Sequence, residues 1–535
     1  MNITFTVISI LAVIFVAVGM LLEFARVLMM LQQNSYRNER YMRWLHNSGD
    51  TTSIVRLVAM IVFFASMFRY SSFVVGSVLL MIFGLYLVVS LGRARYKKPL
   101  VWTKRARRIY AVMVVLSVAF TALIVLCRPF IGIGMLLLSV ALTLLALYVI
   151  SSAVVLAANS ILVPVERSIN RRFYNDAASI LAAMPDLKVI GITGSYGKTS
   201  TKHYLNRILS EQYDVLMTPG SFNTTLGVIR TIREHLRPYN EVFIVEMGAK
   251  QPGDIREICD LVHPSIGIVT AVGEQHLESF KTIENVQRTK FELIDALPSG
   301  GLAVLNNDFP YVANRPVSNV PVRRYAISAV HGGVDYTVED VRYDATGTRF
   351  TIVGPEHSLT LKTHLVGECH ISNLTAAVIV AMYLGVPDEK IRYAVEKIEQ
   401  VEHRLNVKRT PGGVTIIDDA FNSNPTGSGM ALDVLGAMKG GRRIVVTPGM
   451  IELGDRQEFH NHAFGKKIAE TSDIAIIVGR YNRQAITAGI RERGNMADGD
   501  VHCVDTFGQA QQLLGTMLQP GDTILYENDL PDTFK

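Results

Sequence analysis

Hydrophobic and polar positions follow two different rules along this chain. In the first 160 residues the apolar positions fall in long runs, at about 3–31, 54–70, 71–92, 109–127 and 131–157. A bilayer needs roughly 17–25 apolar residues per helix, so each run predicts a membrane span, about five in all. The second run is short and meets the third through Arg69-Tyr-Ser-Ser72, which predicts a helical hairpin. No basic leader or small-residue cleavage site precedes the later runs, so the first is expected to be retained rather than removed as a signal peptide. From about residue 186 the runs shorten and become β-branched, as in Leu187-Lys-Val-Ile190, Val242-Phe-Ile-Val245, Ile266-Gly-Ile-Val269 and Leu302-Ala-Val-Leu305. They alternate with stretches of helical period, which predicts a mostly parallel sheet covered on both faces.

Near Gly332 the pattern changes again: residues 333–366 alternate as short strands and turns, and an Ala-rich helix over His370–Leu384 closes the unit. Beyond Val401 further strands are predicted at 414–417, 443–446, 474–478 and 522–525. The expected organisation is a membrane region over 1–160, a cytoplasmic amphipathic linker over 161–185, and α/β domains over 186–400 and 401–535. A chain of 535 residues has room for this division at about 150 residues per domain.

Charge follows the same division. Residues 1–175 carry 18 Lys and Arg against 4 Asp and Glu, and the remainder carries 35 against 43. The overall +6 therefore belongs to the membrane region and does not imply nucleic acid as a partner. Arg93, Arg95, Lys97, Lys98, Lys104, Arg105, Arg107 and Arg108 lie between the third and fourth runs. Short basic loops stay cytoplasmic, so the α/β part behind Arg167, Arg171 and Arg172 is expected in the cytoplasm of a multi-pass protein of the inner (cytoplasmic) membrane. Glu23 and Arg26, one turn apart in the first run, are expected to pair or to reach the interface. Cys127, Cys259, Cys369 and Cys503 have neither disulfide nor zinc spacing.

Candidate chemistry begins at Gly191-Ile-Thr-Gly-Ser-Tyr-Gly-Lys-Thr-Ser-Thr201. An apolar run precedes this glycine-rich turn and a helical pattern follows it, the context that offers backbone N–H groups to nucleotide phosphates. Gly194, Ser195, Tyr196, Gly197 and Ser200 form the cradle; Lys198 supplies a cation and Thr199 a hydroxyl for Mg²⁺. The spacing departs from the usual phosphate loop, since Ile192 stands where a glycine is expected. Glu246 directly follows the run at 242–245, where a carboxylate reaches a cation bridging phosphates, and His276 follows the strand at 266–269.

These segments together resemble the Mur ligase family, and among its members the MurF type (UDP-N-acetylmuramoyl-tripeptide:D-alanyl-D-alanine ligase). The resemblance is carried by Thr193-Gly-Ser-Tyr-Gly-Lys-Thr199, by Asn223 in Ser221-Phe-Asn-Thr-Thr-Leu-Gly227, and by Val245-Glu-Met-Gly-Ala249. His276-Leu-Glu-Ser-Phe280, Asp418-Asp-Ala-Phe-Asn-Ser-Asn-Pro425 and Met450-Ile-Glu-Leu-Gly454 extend it, so that it spans roughly residues 186–520. It implies a central P-loop ATPase-like parallel-sheet domain followed by a Rossmann-like C-terminal domain. The activity implied is that of an ATP-dependent ligase that phosphorylates a carboxylate and joins it to an amino acid or dipeptide amine, in cell-envelope, peptidoglycan-like synthesis. By resemblance, Thr199 and Glu246 hold one Mg²⁺, and His276 with a carbamylated Lys290 holds a second. Asn373 contacts adenine, Arg404 and Asp419 serve the γ-phosphate and ribose, and Asn223, Asn422 and Asn424 bind substrate.

The departures bear on substrate. The usual Gly-x-His-Asn-x-x-Asn segment reads Gly367-Glu-Cys-His-Ile-Ser-Asn373, Phe421 and Gly449 replace a tyrosine and an aspartate, and Tyr526-Glu-Asn-Asp-Leu-Pro-Asp532 replaces a Lys-Gly-Ser ending. No counterpart of the family's soluble UDP-sugar-binding N-terminal domain is legible. Membrane runs take its place, which leads to the expectation of a membrane-associated or lipid-linked acyl substrate, with simple tethering as the alternative. A poly-γ-glutamate or folylpolyglutamate-like ligase, a nucleotide-regulated membrane scaffold and a transporter are the other readings.

Overall fold

The computed structural model describes residues 3–68, 73–96, 98–127, 133–327, 333–344, 347–420 and 423–529. Two compact units result, one running to Asn170 and one from Arg171 to Asp529.

The first unit is helical, with segments Ile3–Gln33, Asn38–Ser48, Ile54–Phe68, Phe73–Arg93, Lys104–Leu126 and Ile133–Val149. The helix Ser151–Ala182 begins in it and runs on past Asn170. The apolar run at 131–157 is thus not one element: the chain turns at Ile150, ahead of Ser151 and Ser152, and two helices replace the single span. By length and composition four helices are able to cross a membrane, at Thr6–Gln33, Val74–Arg93, Lys104–Leu126 and Ser151–Ala182. Ile54–Met67 and Ile133–Val149 are apolar but shorter. Arg69, Tyr70, Ser71 and Ser72 of the expected hairpin, and Lys97 of the basic loop, lie outside the described residues.

Glu23 and Arg26 do pair, within a larger network. Arg26 donates to Glu23 at 2.7 Å and to Asp50 at 2.8 and 2.9 Å, and Arg56 donates to Glu23 at 2.8 Å and to the Val149 carbonyl at 2.6 Å. Each buried charge has an opposite partner, which is the condition for burying it at all.

The second unit holds two sheets. Strands β1 (Lys188–Thr193), β2 (Val215–Met217), β3 (Val242–Glu246), β4 (Ile266–Val269), β5 (Leu302–Asn306), β6 (Val322–Ala326), β7 (Tyr336–Asp344), β8 (Gly347–Val353) and β9 (Ser358–Thr363) form one. Its order is β2-β3-β1-β4-β5-β6-β7-β8-β9. Pairing is parallel from β2 to β7 and antiparallel from β7 to β9. The alternation at 333–366 therefore extends the first sheet as a meander. Strands β1, β3, β4 and β5 are buried almost throughout, as expected for a sheet covered on both faces. Helix Glu368–Tyr383 packs on one face through Ile371, Leu374 and Val378, and helix Ile283–Asp295 on the other through Phe291, Leu293 and Ile294.

The second sheet contains β10 (Asn406–Arg409), β11 (Thr415–Asp419), β12 (Arg443–Thr447), β13 (Ile474–Val478), β14 (Val501–Val504) and β15 (Thr523–Glu527). Its order is β10-β11-β15-β12-β13-β14, parallel except for β10. Adjacent β1, β3 and β4 bring Thr193, Glu246 and Val269 to one carboxyl edge, where ligands gather in sheets of this kind.

Candidate functional site

The glycine-rich turn joins β1 to helix Lys198–Leu209. Gly194 has φ +149° and Gly197 φ +79°. A Cβ on Gly194 would lie 2.1 Å from Thr270 Oγ1, and one on Gly197 2.3 Å from Asn373 Oδ1, so neither position admits a side chain. Ser195 N donates to the Ala271 carbonyl at 2.8 Å and its Oγ to the Gly273 carbonyl at 3.0 Å, anchoring the turn to the segment after β4. Gly197 provides no side-chain cap, which leaves the first N–H groups of the helix for an anionic ligand. Lys198 folds back into the turn, donating to the Gly194 and Ser195 carbonyls at 2.6 and 3.2 Å. Burial pushes its ammonium down to about 8, against the pull of Glu246.

Glu246, at the end of β3, collects this machinery. Its Oε1 accepts from Thr199 Oγ1 at 3.2 Å and from Asn223 Nδ2 at 3.0 Å, and its Oε2 lies 3.0 Å from Lys202 Nζ. Burial pushes the carboxyl up, but Lys202 and Lys198 outweigh it and hold Glu246 below its ordinary value. Arg404 donates to Thr199 Oγ1 at 3.4 Å, and Asp419 accepts from Leu405 N at 3.0 Å. A cavity of about 440 Å³ is lined by the turn residues 195–200 and by Asn223, Glu246, Asn373, Arg404, Asp419 and Asn424.

The structure therefore brings most of the expected residues to one cavity, with two refinements. Asn373 accepts from Thr201 Oγ1 at 3.2 Å and touches Gly197, so it shapes the phosphate turn. Asn424 caps helix Pro425–Ala437 by accepting from Gly427 N at 2.7 Å, a structural task in addition to lining the cavity. Asn422 and Phe421 lie outside the described residues.

His276 and Lys290 do not line this cavity. His276 sits in a left-handed conformation (φ 53°), and its Nδ1 contacts the Glu452 carboxylate; the Glu278 N–H donates to the Glu452 carbonyl at 3.2 Å. Burial lowers the imidazole below its usual range despite Glu452. Lys290 is 2% exposed, and burial, helped by Lys198, brings its ammonium down to about 7.

These donors suit the groups the resemblance implies. A hydroxyl and a carboxylate held together at Thr199 and Glu246 match a hard, oxygen-preferring divalent cation. Among the described residues no three His, Cys, Asp or Glu side chains form a metal cluster, so phosphate oxygens would have to complete the shell. With Glu452 on Nδ1, His276 keeps Nε2 for a ligand, and a lysine near 7 has the neutral amine that carbamylation requires.

Sequence reasoning missed Lys202, Glu452 and Glu527. Lys202 stands four residues after Lys198, hence on the same helix face, which was the available signal. Glu452 lies within a quoted motif, but nothing local indicated His276 as its partner. Glu527 is fully buried at the end of β15, in register with Asp419 on β11.

Comparison with known proteins matches the Mur ligase middle domain to residues 192–381 and the Mur ligase, glutamate ligase domain to residues 403–526. The UDP-N-acetylmuramoyl-tripeptide–D-alanyl-D-alanine ligase of Bacillus subtilis is 32% identical over 276 residues, 51% of this chain and 58% of the relative. The Mycobacterium bovis protein of the same name is 31% identical over 376 residues, 65% of this chain and 71% of the relative. The chain thus spans less than two thirds of the Bacillus relative's length. Among solved structures, MurF from Acinetobacter baumannii superposes with a TM-score of 0.61 at 26% identity, covering 67% of this chain and 77% of that one. MurF from Thermotoga maritima in complex with ADP has a TM-score of 0.60 at 24% identity and shows the shared fold.

Proposed function

The chain belongs to the Mur ligase family, and from that premise we propose that it is a membrane-anchored ATP-dependent amide ligase of cell-envelope synthesis. It passes the γ-phosphoryl group of ATP to a substrate carboxylate and joins the acyl group to an amine. The observation that carries this reading is the convergence of Lys198, Thr199, Asn223, Glu246 and Arg404 on one cavity at the end of β1 and β3.

Phosphoryl transfer requires positioning and neutralised charge more than covalent help from the protein. The glycine turn receives the phosphates on backbone N–H groups, and Lys198 follows the terminal phosphate as charge moves onto it. Asn223 and Glu246, joined by a hydrogen bond, orient the acceptor side of the turn. Arg404 reaches Thr199 from the segment before β10, and with Asp419 it completes the nucleotide end when the C-terminal domain is closed. Thr199 and Glu246 would hold one Mg²⁺, and His276 with carbamylated Lys290 a second; bound Mg²⁺ supplies charge neutralisation during transfer. The relatives' names specify a muramoyl tripeptide and D-alanyl-D-alanine, and a dipeptide or amino acid amine is the acceptor class proposed here.

The helices able to span a membrane support an acyl donor that is itself membrane-associated, as a lipid-linked envelope precursor would be. The test offers purified protein, ATP and D-alanyl-D-alanine with either soluble UDP-muramoyl tripeptide or its lipid-linked form. Faster amide formation on the lipid-linked donor is expected. Efficient turnover of the soluble donor alone contradicts the membrane-substrate reading while leaving the ligase intact, and no amide with either donor contradicts the ligase.

A further inference from the structure

Arg404 stands between two residues whose backbone is left-handed, His403 at φ 57° and Leu405 at φ 48°. Neither is glycine. For an L side chain, and for a bulky leucine above all, this conformation persists only where its surroundings hold it. The segment is the connection from helix Asp388–Glu396 to β10, the first strand of the second sheet. The strain therefore falls where the chain passes from one sheet to the other, on both sides of the arginine that reaches Thr199 Oγ1.

Two successive carboxylates of β11 hold this connection. Asp419 accepts from Leu405 N at 3.0 Å, and the Leu405 side chain is buried in the core of the second sheet. Asp419 is itself fixed from behind by Glu527, which faces it across the β11–β15 ladder and hydrogen-bonds to it. Burial and Asp419 push Glu527 well above the ordinary carboxylate range, so the proton stays between the two. His403 has no such core around it. Its side chain is half exposed, and what holds it is Asp418: Nδ1 donates to the two carboxylate oxygens at 2.8 and 3.0 Å. Asp418 is a fixed partner, mostly buried and paired with Asn406 in the β10–β11 ladder. One carboxylate thus grips the chain just before Arg404 and the next grips it just after. Arg404 N donates to the Val401 carbonyl at 3.2 Å, which closes the turn ahead of it.

We infer that Asp418, acting through His403, is a positioning residue for Arg404: it keeps the connection in the strained form that aims the guanidinium at the phosphate turn. What Arg404 does in turnover rests on the ligase reading; how it is held rests on the geometry alone. Asp418 bonds neither to the glycine turn nor to Lys198, so its loss leaves the phosphate cradle intact and acts on the rate of the step that Arg404 assists.

The test uses the full-length protein with ATP, a membrane extract as acyl source and D-alanyl-D-alanine. Asp418→Ala removes the carboxylate, and His403→Ala, at a half-exposed position, carries the test should Asp418→Ala fold poorly. The expected result is a fall in kcat of about tenfold in either variant, with the KM for ATP within about threefold of the parent. Amide exchange at Leu405 should be faster by about fivefold or more, although its N–H bonds to Asp419 and not to Asp418. In an Arg404→Lys background, Asp418→Ala is expected to lower kcat by less than about twofold further, because the side chain it positions has already been changed. Equal losses in the two backgrounds, a fall in kcat with unchanged exchange at Leu405, or faster exchange with unchanged kcat overturns the inference. If the parent forms no amide, the ligase reading falls, and exchange at Leu405 decides the positioning role by itself: a faster rate in Asp418→Ala supports it and an unchanged rate overturns it.

Discussion

Lys202 Nζ lies 3.0 Å from Glu246 Oε2, and both side chains are buried, at 0% and 1% exposure. Lys202 also donates to the Gly220 carbonyl at 2.5 Å, so one ammonium ties the phosphate-turn helix to the loop ahead of Asn223 and to the carboxylate at the end of β3. Removing one member of a buried ion pair leaves the other charge without compensation, at a cost of about 3–5 kcal/mol. Lys202→Met is therefore expected to destabilise the second unit by an amount in this range, and Lys202→Met combined with Glu246→Gln by less than the sum. Urea denaturation of the two single variants and the double variant measures this; additive losses contradict the pairing.

Lys198→Ala is expected to lower ATP-dependent turnover by about 10²–10³, the loss typical of removing one preorganised charge-stabilising donor. The unfolding midpoint should stay close to the parent's, because among the described residues Lys198 hydrogen-bonds to carbonyls of its own turn. Turnover within tenfold of the parent contradicts the role.

Lys290, brought down to about 7, has a substantial neutral fraction at physiological pH. Lys290→Ala is expected to be nearly inactive and partly rescued by a small carboxylate in solution, which would stand in for the proposed carbamate. Full activity without rescue contradicts the carbamate.

Glu452 orients His276 across the two α/β domains, with Arg456 and His460 contacting Glu274 beside it. Glu452→Ala is expected to weaken Mg²⁺ dependence, raising the Mg²⁺ concentration for half-maximal activity by about tenfold or more. An unchanged Mg²⁺ titration contradicts this orienting role.

His370 gives the pH dependence a sign. Its Nδ1 lies 2.8 Å from Tyr204 Oη in a fully buried setting, and burial lowers the imidazole from 6.5 to about 4. The unfolded chain takes up a proton below about 6.5 that the folded one refuses. The stability from neutral His370 is thus fully present above 6.5 and is lost as pH falls towards 4, by about 3 kcal/mol at 1.36 kcal/mol per pKa unit. Denaturation at pH 7 and pH 4.5 should show a steeper loss in the parent than in His370→Gln; equal slopes contradict the assignment.

Local patterns revealed much of this molecule, and long-range pairings stayed hidden. The turn at Gly194–Thr199 was readable because its glycines, its lysine and its flanking strand and helix are adjacent in the chain. Strands β3, β4, β5 and β13 announced themselves as buried apolar runs, whereas β2, β10 and β14 are edge strands, β2 apolar but too short to show a pattern and β10 and β14 interrupted by polar residues. The turn at Ile150 lay deep inside a hydrophobic run whose glycines, Gly132 and Gly134, stand well before it, and only Ser151-Ser152 hinted at it. Lys202 resembles a solvated helix residue until Glu246, 44 positions later in sequence, is folded against it. Asp419 and Glu527 meet only because β15 inserts between β11 and β12, a sheet order that no local pattern encodes.

The central claim is most directly tested by coupling ATP cleavage to bond formation. Purified protein is incubated with Mg-ATP, membrane extract and an amine panel including D-alanyl-D-alanine and glutamate, and ADP and product mass are read together. The account predicts one new amide for each ADP formed, dependent on both extract and amine, and absent from Lys198→Ala. ADP release with no new amide, or no binding of Mg-ATP at all, contradicts it.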